Sequence, residues 1–148
     1  MSGDEDGTSA VCARMSDVAG YSETPLAKKL GIVDGSTVVL FGAPSDLHME
    51  LPPTTVLRHQ IRGSADVVVT FPKSLSQLDR QFERLARAIY PSGGLWIAWP
   101  KKSTGIPTEV SDHVVREVAI ERGLVDNKVC AIDDVWTALR LVWRRENR

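Results

Sequence analysis

The sequence predicts a single α/β domain in three layers, with a mainly parallel sheet and one antiparallel hairpin at its C-terminal end. Three observations carry this prediction. Residues 36–41, 66–71 and 95–99 contain apolar runs of the kind found in strands covered on both faces. Capped helical patterns follow the second and third runs, which places crossovers between parallel strands. Residues 128–132 and 137–143 read as strands joined only by Asp133-Asp134-Val135-Trp136, a connection short enough for a hairpin.

The elements follow in order. Residues 1–20, rich in Ser, Gly, Asp and Ala with isolated apolar positions, cannot repay the entropy of ordering and read as a disordered tail before a domain at 21–148. Thr24 as N-cap, Pro25 at the first helical position and Gly31 as a stop bound a short helix. Asp34-Gly35 turns the chain into the first strand. Residues 42–65 read as mainly irregular, because Pro44, Pro52 and Pro53 exclude a long helix and only 56–61 alternates as a strand would.

The second apolar run closes at Pro72, and Ser74 with Gln77 forms a capping box for the clearest helix in the chain. Its core stripe is Leu75, Leu78, Phe82, Leu85 and Ile89, with Arg80, Glu83, Arg84 and Arg87 on the solvent side. Gly93 and Gly94 permit a reversal into the run at 95–99, which has the character of a central strand, and Pro100 is expected to end its pairing. Ser111 caps a further helix in which Asp112 and Arg116 pair at i,i+4, Val114, Val115, Val118 and Ala119 face inward, and Gly123 is the stop.

At 148 residues the chain can bury a core without staples or metals. Its two cysteines, Cys12 in polar surroundings and Cys130 in an apolar run, form no disulfide framework and point to a reduced, cytoplasmic chain. No run approaches a membrane span, and the first twenty residues lack the basic start and apolar middle of a signal peptide. The net charge of −1 hides a modest asymmetry, with Asp4, Glu5, Asp6 and Asp17 near one end and Arg140, Arg144, Arg145 and Arg148 near the other. That is too little charge for a groove tracking a nucleic-acid backbone.

Family resemblance rests on particular stretches. Gly31-Ile32-Val33-Asp34-Gly35-Ser36-Thr37-Val38-Val39-Leu40 resembles the lead into the first strand of class I S-adenosylmethionine-dependent methyltransferases, and Tyr90-Pro91-Ser92-Gly93-Gly94-Leu95 resembles their turn before the fifth strand. Gly20-Tyr21-Ser22 with residues 24–31, Gly94-Leu95-Trp96-Ile97-Ala98-Trp99-Pro100-Lys101-Lys102, and residues 123–126 with Lys128-Val129-Cys130-Ala131 resemble the actinobacterial domain of unknown function 3052 family. The resemblance implies a truncated, methyltransferase-like, Rossmann-like fold and no established activity.

The chain departs from a methyltransferase where the cofactor would sit. A glycine-rich loop after the first strand brings the backbone to a nucleotide cofactor, and an acid after the second holds its ribose. Here the loop is Phe41-Gly42-Ala43-Pro44-Ser45-Asp46, with one glycine and a proline that lacks a donor amide. In place of the Asp/Asn-Pro-Pro-aromatic loop of amino-methyltransferases stands Phe71-Pro72-Lys73-Ser74. No cofactor and no catalytic residue is therefore assigned. Cys130 reads as structural rather than as a nucleophile for His113. His48, His59 and His113 have no ligand spacing, so no metal site is assigned. Residues 100–105 lack the glycines of a phosphate loop, and Asp133 with Asp134 fits turn chemistry.

In an open parallel sheet, ligands bind beyond the carboxyl ends of the strands. The segments expected there carry Lys73, Trp99, Lys101, Lys102, Ser103, Thr104, Asp134 and Trp136. Cations, hydroxyls, aromatic side chains and nearby helix N-termini suit an anionic small molecule or a carboxylate on a protein partner. The expected function is thus a non-catalytic, regulatory binding domain. The alternative is an enzyme acting on a small anionic substrate at the same edge.

Overall fold

The computed structural model describes residues 25–148. The expected tail at residues 1–20 and the expected N-cap Thr24 lie outside them. In chain order the elements are α1 (Leu26–Lys29), β1 (Thr37–Phe41), β2 (Val56–Arg58), β3 (Val67–Thr70), α2 (Leu75–Ala88), β4 (Gly94–Pro100), α3 (Asp112–Glu121), β5 (Leu124–Ala131) and β6 (Trp136–Trp143). Short 3-10 turns occupy Lys102–Thr104 and Arg145–Asn147.

The six strands form one sheet in the order β2-β1-β3-β4-β6-β5. β2, β1, β3 and β4 are mutually parallel, and β6 runs antiparallel to both β4 and β5. The three apolar runs of the sequence are thus parallel neighbours, and β4 lies inside the sheet between β3 and β6. Burial follows from that position: Leu95, Trp96, Ile97 and Ala98 are all inaccessible to solvent.

Alternation along the strands divides the core into two. On one face Val39, Val68, Leu95, Ile97, Leu139 and Leu141 pack beneath Leu78, Phe82 and Leu85 of α2 and Val115 and Ala119 of α3. On the other, Val38, Leu40, Val67, Val69, Trp96 and Ala98 pack with Ala27 and Leu30 of the α1 region and with Leu47, Met49 and Leu51 of the connection after β1. Among the described residues the third layer is therefore built from a four-residue helix and irregular chain.

The caps form as the sequence predicts. Ser74 Oγ accepts from Gln77 N at 3.1 Å, and Ser111 Oγ accepts from Val114 N at 3.4 Å. Gln77 Oε1 reaches back to Lys73 N at 2.7 Å, one residue before the position a capping box uses. Arg116 holds Asp112 at 3.0 Å and also Asp126 of β5 at 3.1 Å, which joins α3 to the sheet. Asp126 first and Asp112 second raise the guanidinium of Arg116, and its hydrogen bond lowers the Asp112 carboxyl.

Several expectations are corrected. Pro25 flanks α1 rather than starting it. Leu75, the first residue of α2, is 38% exposed, and Val114 is only half-buried. Pro100 does not end the pairing of β4, since it remains opposite Trp136 in the register with β6. β2 spans only three residues of the expected 56–61. β5 begins at Leu124, well before residue 128; as an edge strand it tolerates Asp126, Asn127 and Lys128, and its register shifts between Asp126 and Lys128. Among the described residues no helix is long and apolar enough to cross a membrane.

Candidate functional site

The carboxyl ends of β1, β3 and β4 deliver three loops to one edge, and the turn between β5 and β6 joins them. Lys101 N donates to Val135 O at 2.7 Å, so the loop after β4 is tied to the hairpin turn. Lys102–Thr104 then forms a 3-10 turn that Thr104 fixes from within: its Oγ1 donates to Lys101 O at 2.7 Å and accepts from Ile106 N at 3.1 Å. Gly105 closes the turn at φ 74°, in the left-handed region that glycine adopts without strain. Asp133 Oδ1 accepts from Val135 N and Trp136 N, both at 2.8 Å, which is the turn chemistry its sequence predicts.

This bond brings Lys101, Lys102, Ser103 and Thr104 beside Asp134 and Trp136. Lys102, Ser103 and Asp134 are exposed, while Lys101, Thr104 and Trp136 are half-buried. Lys73 is also exposed, on the separate loop after β3. The two tryptophans do not form one wall. Trp99 packs with the core under α2 and α3, whereas Trp136 packs with the opposite core, its ring edge-on to Phe71 at 5.2 Å between centroids. Trp99 is paired with Thr137, so Trp136 is one residue out of step with it and points through the other face.

The N-terminus of α2 also ends at this edge, yet it is already occupied. Glu109 Oε1 accepts from Leu75 N at 3.0 Å, beside the Ser74 and Gln77 bonds. A carboxylate of the chain itself thus sits where an anion would meet the helix dipole. Sequence reasoning did not find Glu109, because it lies 34 positions from its partner in a loop without periodic pattern. Two concavities occur elsewhere. One, of about 210 Å³, is lined by Thr37, Ser64, Asp66, Tyr90 and Ser92; the other, of about 370 Å³, lies between α2 and α3. Neither contains a residue of the lysine turn.

The chain is similar to a SAM-dependent methyltransferase from Aquifex aeolicus, with a TM-score of 0.57 at 17% identity over 78% of this chain and 86% of that one. The fold is methyltransferase-like. Magnesium protoporphyrin IX methyltransferase from Synechocystis gives a TM-score of 0.55 at 13% identity, covering 80% of each chain. A TehB-like SAM-dependent methyltransferase from Corynebacterium glutamicum gives 0.53 at 12%, covering 85% of this chain and 91% of that one. At these identities the likeness concerns the fold. No family model and no curated protein sequence matches the chain.

The residues at the cofactor position of such a fold do not fit S-adenosylmethionine. Gly42 has φ 73° and open space where a Cβ would stand, so the backbone is approachable there. No helix follows, however, for residues 42–55 contain neither helix nor strand before β2. β2 ends in Arg58, whose Nη1 donates to Arg62 O at 3.0 Å, and His59 and Gln60 follow. No acid stands at the end of β2 or in the two residues after it to accept from ribose hydroxyls. In the loop after β3 Phe71 is 4% exposed and packed on Trp136, and Ser74 caps α2, so both serve the fold. Among the described residues no group of three or more His, Cys, Asp or Glu is placed to hold a metal.

Proposed function

We propose that this chain is a non-catalytic binding domain of regulatory type, built on a methyltransferase-like fold whose cofactor half is reduced. The observation that carries the reading is the pair of changes at β1 and β2: a helix-free connection after one and Arg58 at the end of the other. The ligand is an anion, either a small molecule or a carboxylate on a partner protein, met by Lys101, Lys102 and Ser103 with Lys73 on the neighbouring loop. Trp136 and Thr104 hold the turn, and Asp134 limits the charge the site accepts. Membership in the domain of unknown function 3052 family and a cytoplasmic location belong to the same proposal.

Purified chain passed over an immobilised panel of carboxylate and phosphate compounds tests this directly. Retention on an anionic column that is lost in the Lys101→Ala/Lys102→Ala variant, with no chemical change in the eluted compound, supports the reading. Conversion of the compound would favour the alternative, an enzyme acting on a small anionic substrate at this edge. Equal retention of parent and double variant would remove the lysine turn from consideration.

A further inference from the structure

A second cationic surface lies on the α1 side of the sheet, toward the C-terminal hairpin. Arg140 of β6 is opposite Trp96 of β4 on one side and Lys128 of β5 on the other. Opposed residues of antiparallel strands share a face, so Lys128, Arg140 and Trp96 form one row across three strands. The face is the one covered by α1, since Trp96 belongs to that core and Lys128 Nζ donates to Lys29 O at 3.4 Å.

Gly94 makes room for the arginine. A Cβ there would stand 2.5 Å from Arg140 Nε and 2.9 Å from its Cζ, so the guanidinium lies directly over the glycine. No carboxylate of the described residues is paired with Arg140 or with Lys128. The nearest acid along β5, Asp126, is held by Arg116, and Glu146 is held by Arg144. Burial first and the charge of Arg148 second lower the guanidinium of Arg140 below its usual range. Among the described residues this half-buried cation has no counter-charge, a costly arrangement for a folded chain to retain.

The floor beside it is apolar. Val142, two residues beyond Arg140 on the same strand and so on the same face, is opposite Val125 on β5. Val142 is half-buried and Val125 is 36% exposed.

We infer that this surface docks an acidic segment of a partner protein, one that lays apolar side chains on Val125 and Val142 and a carboxylate on Arg140 and Lys128. Charge complementarity sets the occupant, and the valines select an amphipathic peptide over a free anion, which would leave them bare. Arg offers a carboxylate two parallel donors, and the Gly94 cradle holds that fork in place before binding. The surface is separate from the lysine turn and does not depend on it.

Fluorescence anisotropy with a labelled peptide carrying leucines at helical spacing and glutamates between them tests the inference on the full chain. Arg140→Gln should weaken binding roughly tenfold or more, and Val125→Glu, at an exposed position, should do the same by repulsion. Both variants are checked for an unchanged circular dichroism spectrum, and Val125→Glu alone decides the matter if Arg140→Gln fails to fold. Lys101→Ala/Lys102→Ala should bind the peptide as the parent does. Equal binding by parent and Val125→Glu, equal loss in the lysine-turn variant, or preference for a single-stranded oligonucleotide over the peptide would each overturn the inference.

Discussion

The indole Nε1 of Trp96 donates to the carbonyl of Leu30 at 3.1 Å, across 66 positions of sequence, and both residues are fully buried. This bond ties α1 to the central strand and gives the thin third layer a fixed seat. The carbonyl it satisfies lies at the end of α1, where the helix itself supplies no partner.

Trp96→Phe removes the donor together with one of the two fused rings, so the cost of a cavity adds to that of the lost bond. The buried carbonyl is then left without that partner, which costs about 1–3 kcal/mol. Urea denaturation should show a lower midpoint with an unchanged slope. A midpoint equal to the parent's would mean that the bond contributes nothing to stability.

Gly93 and Gly42 separate two reasons for glycine. A Cβ at Gly93 would meet the backbone oxygens of Asp66, Ala65 and Ile89 at 2.8, 2.9 and 3.0 Å, so the turn before β4 must move. Gly93→Ala should therefore cost about 1–3 kcal/mol, as overpacking does. At Gly42 there is open space and only the left-handed backbone resists, so Gly42→Ala should cost about 1–2 kcal/mol. Thermal melts of the two variants and crystal structures of both decide whether backbone displacement is confined to Gly93→Ala.

Cys130 is 7% exposed, and burial raises its thiol despite the opposing charges of Lys29 and Lys128. The folded chain holds that proton more tightly than the unfolded chain does. Its contribution to stability is complete below the unfolded thiol's pKa, about 8.5, and is lost as pH rises through the folded value. Stability curves of the parent and Cys130→Ala should therefore converge or cross above that range. Site-resolved alkylation at pH 8 should find Cys130 slow to react, and rapid labelling there would contradict its burial.

S-adenosylmethionine should leave the melting temperature unchanged. A ligand that binds only the native state adds about 2.7 kcal/mol at a hundredfold its dissociation constant, a rise that melts detect easily. A concentration-dependent increase would show that the helix-free connection after β1 still accepts the cofactor.

Much of the fold was legible because it is local chemistry. Apolar runs at Val38–Leu40, Val67–Val69 and Leu95–Ala98 are buried on both faces wherever they pair, and the caps Ser74 and Ser111 act on amides three residues away. The parallel order of β3 and β4 follows from the α2 crossover between them, whereas β1 and β3 are joined through β2 and irregular chain. The start of an edge strand was not legible: the apolar run around Cys130 marks the second half of β5, but residues 124–127 carry Asp126 and Asn127, which an edge facing water tolerates and no apolar run announces.

The candidate site divides the same way. Its position at the carboxyl edge came from strand order, and the lysine turn with Asp134 and Trp136 did arrive together through the Lys101–Val135 bond. Only the tertiary structure decided that Trp99 and Trp136 point through opposite faces, that Glu109 fills the α2 N-terminus, and that Arg140 lies over Gly94. Each of these depends on register or on contact between residues far apart in sequence. A pattern of apolar and polar residues constrains what is buried, but one step of register exchanges the faces of every side chain, and that step is set by pairing alone.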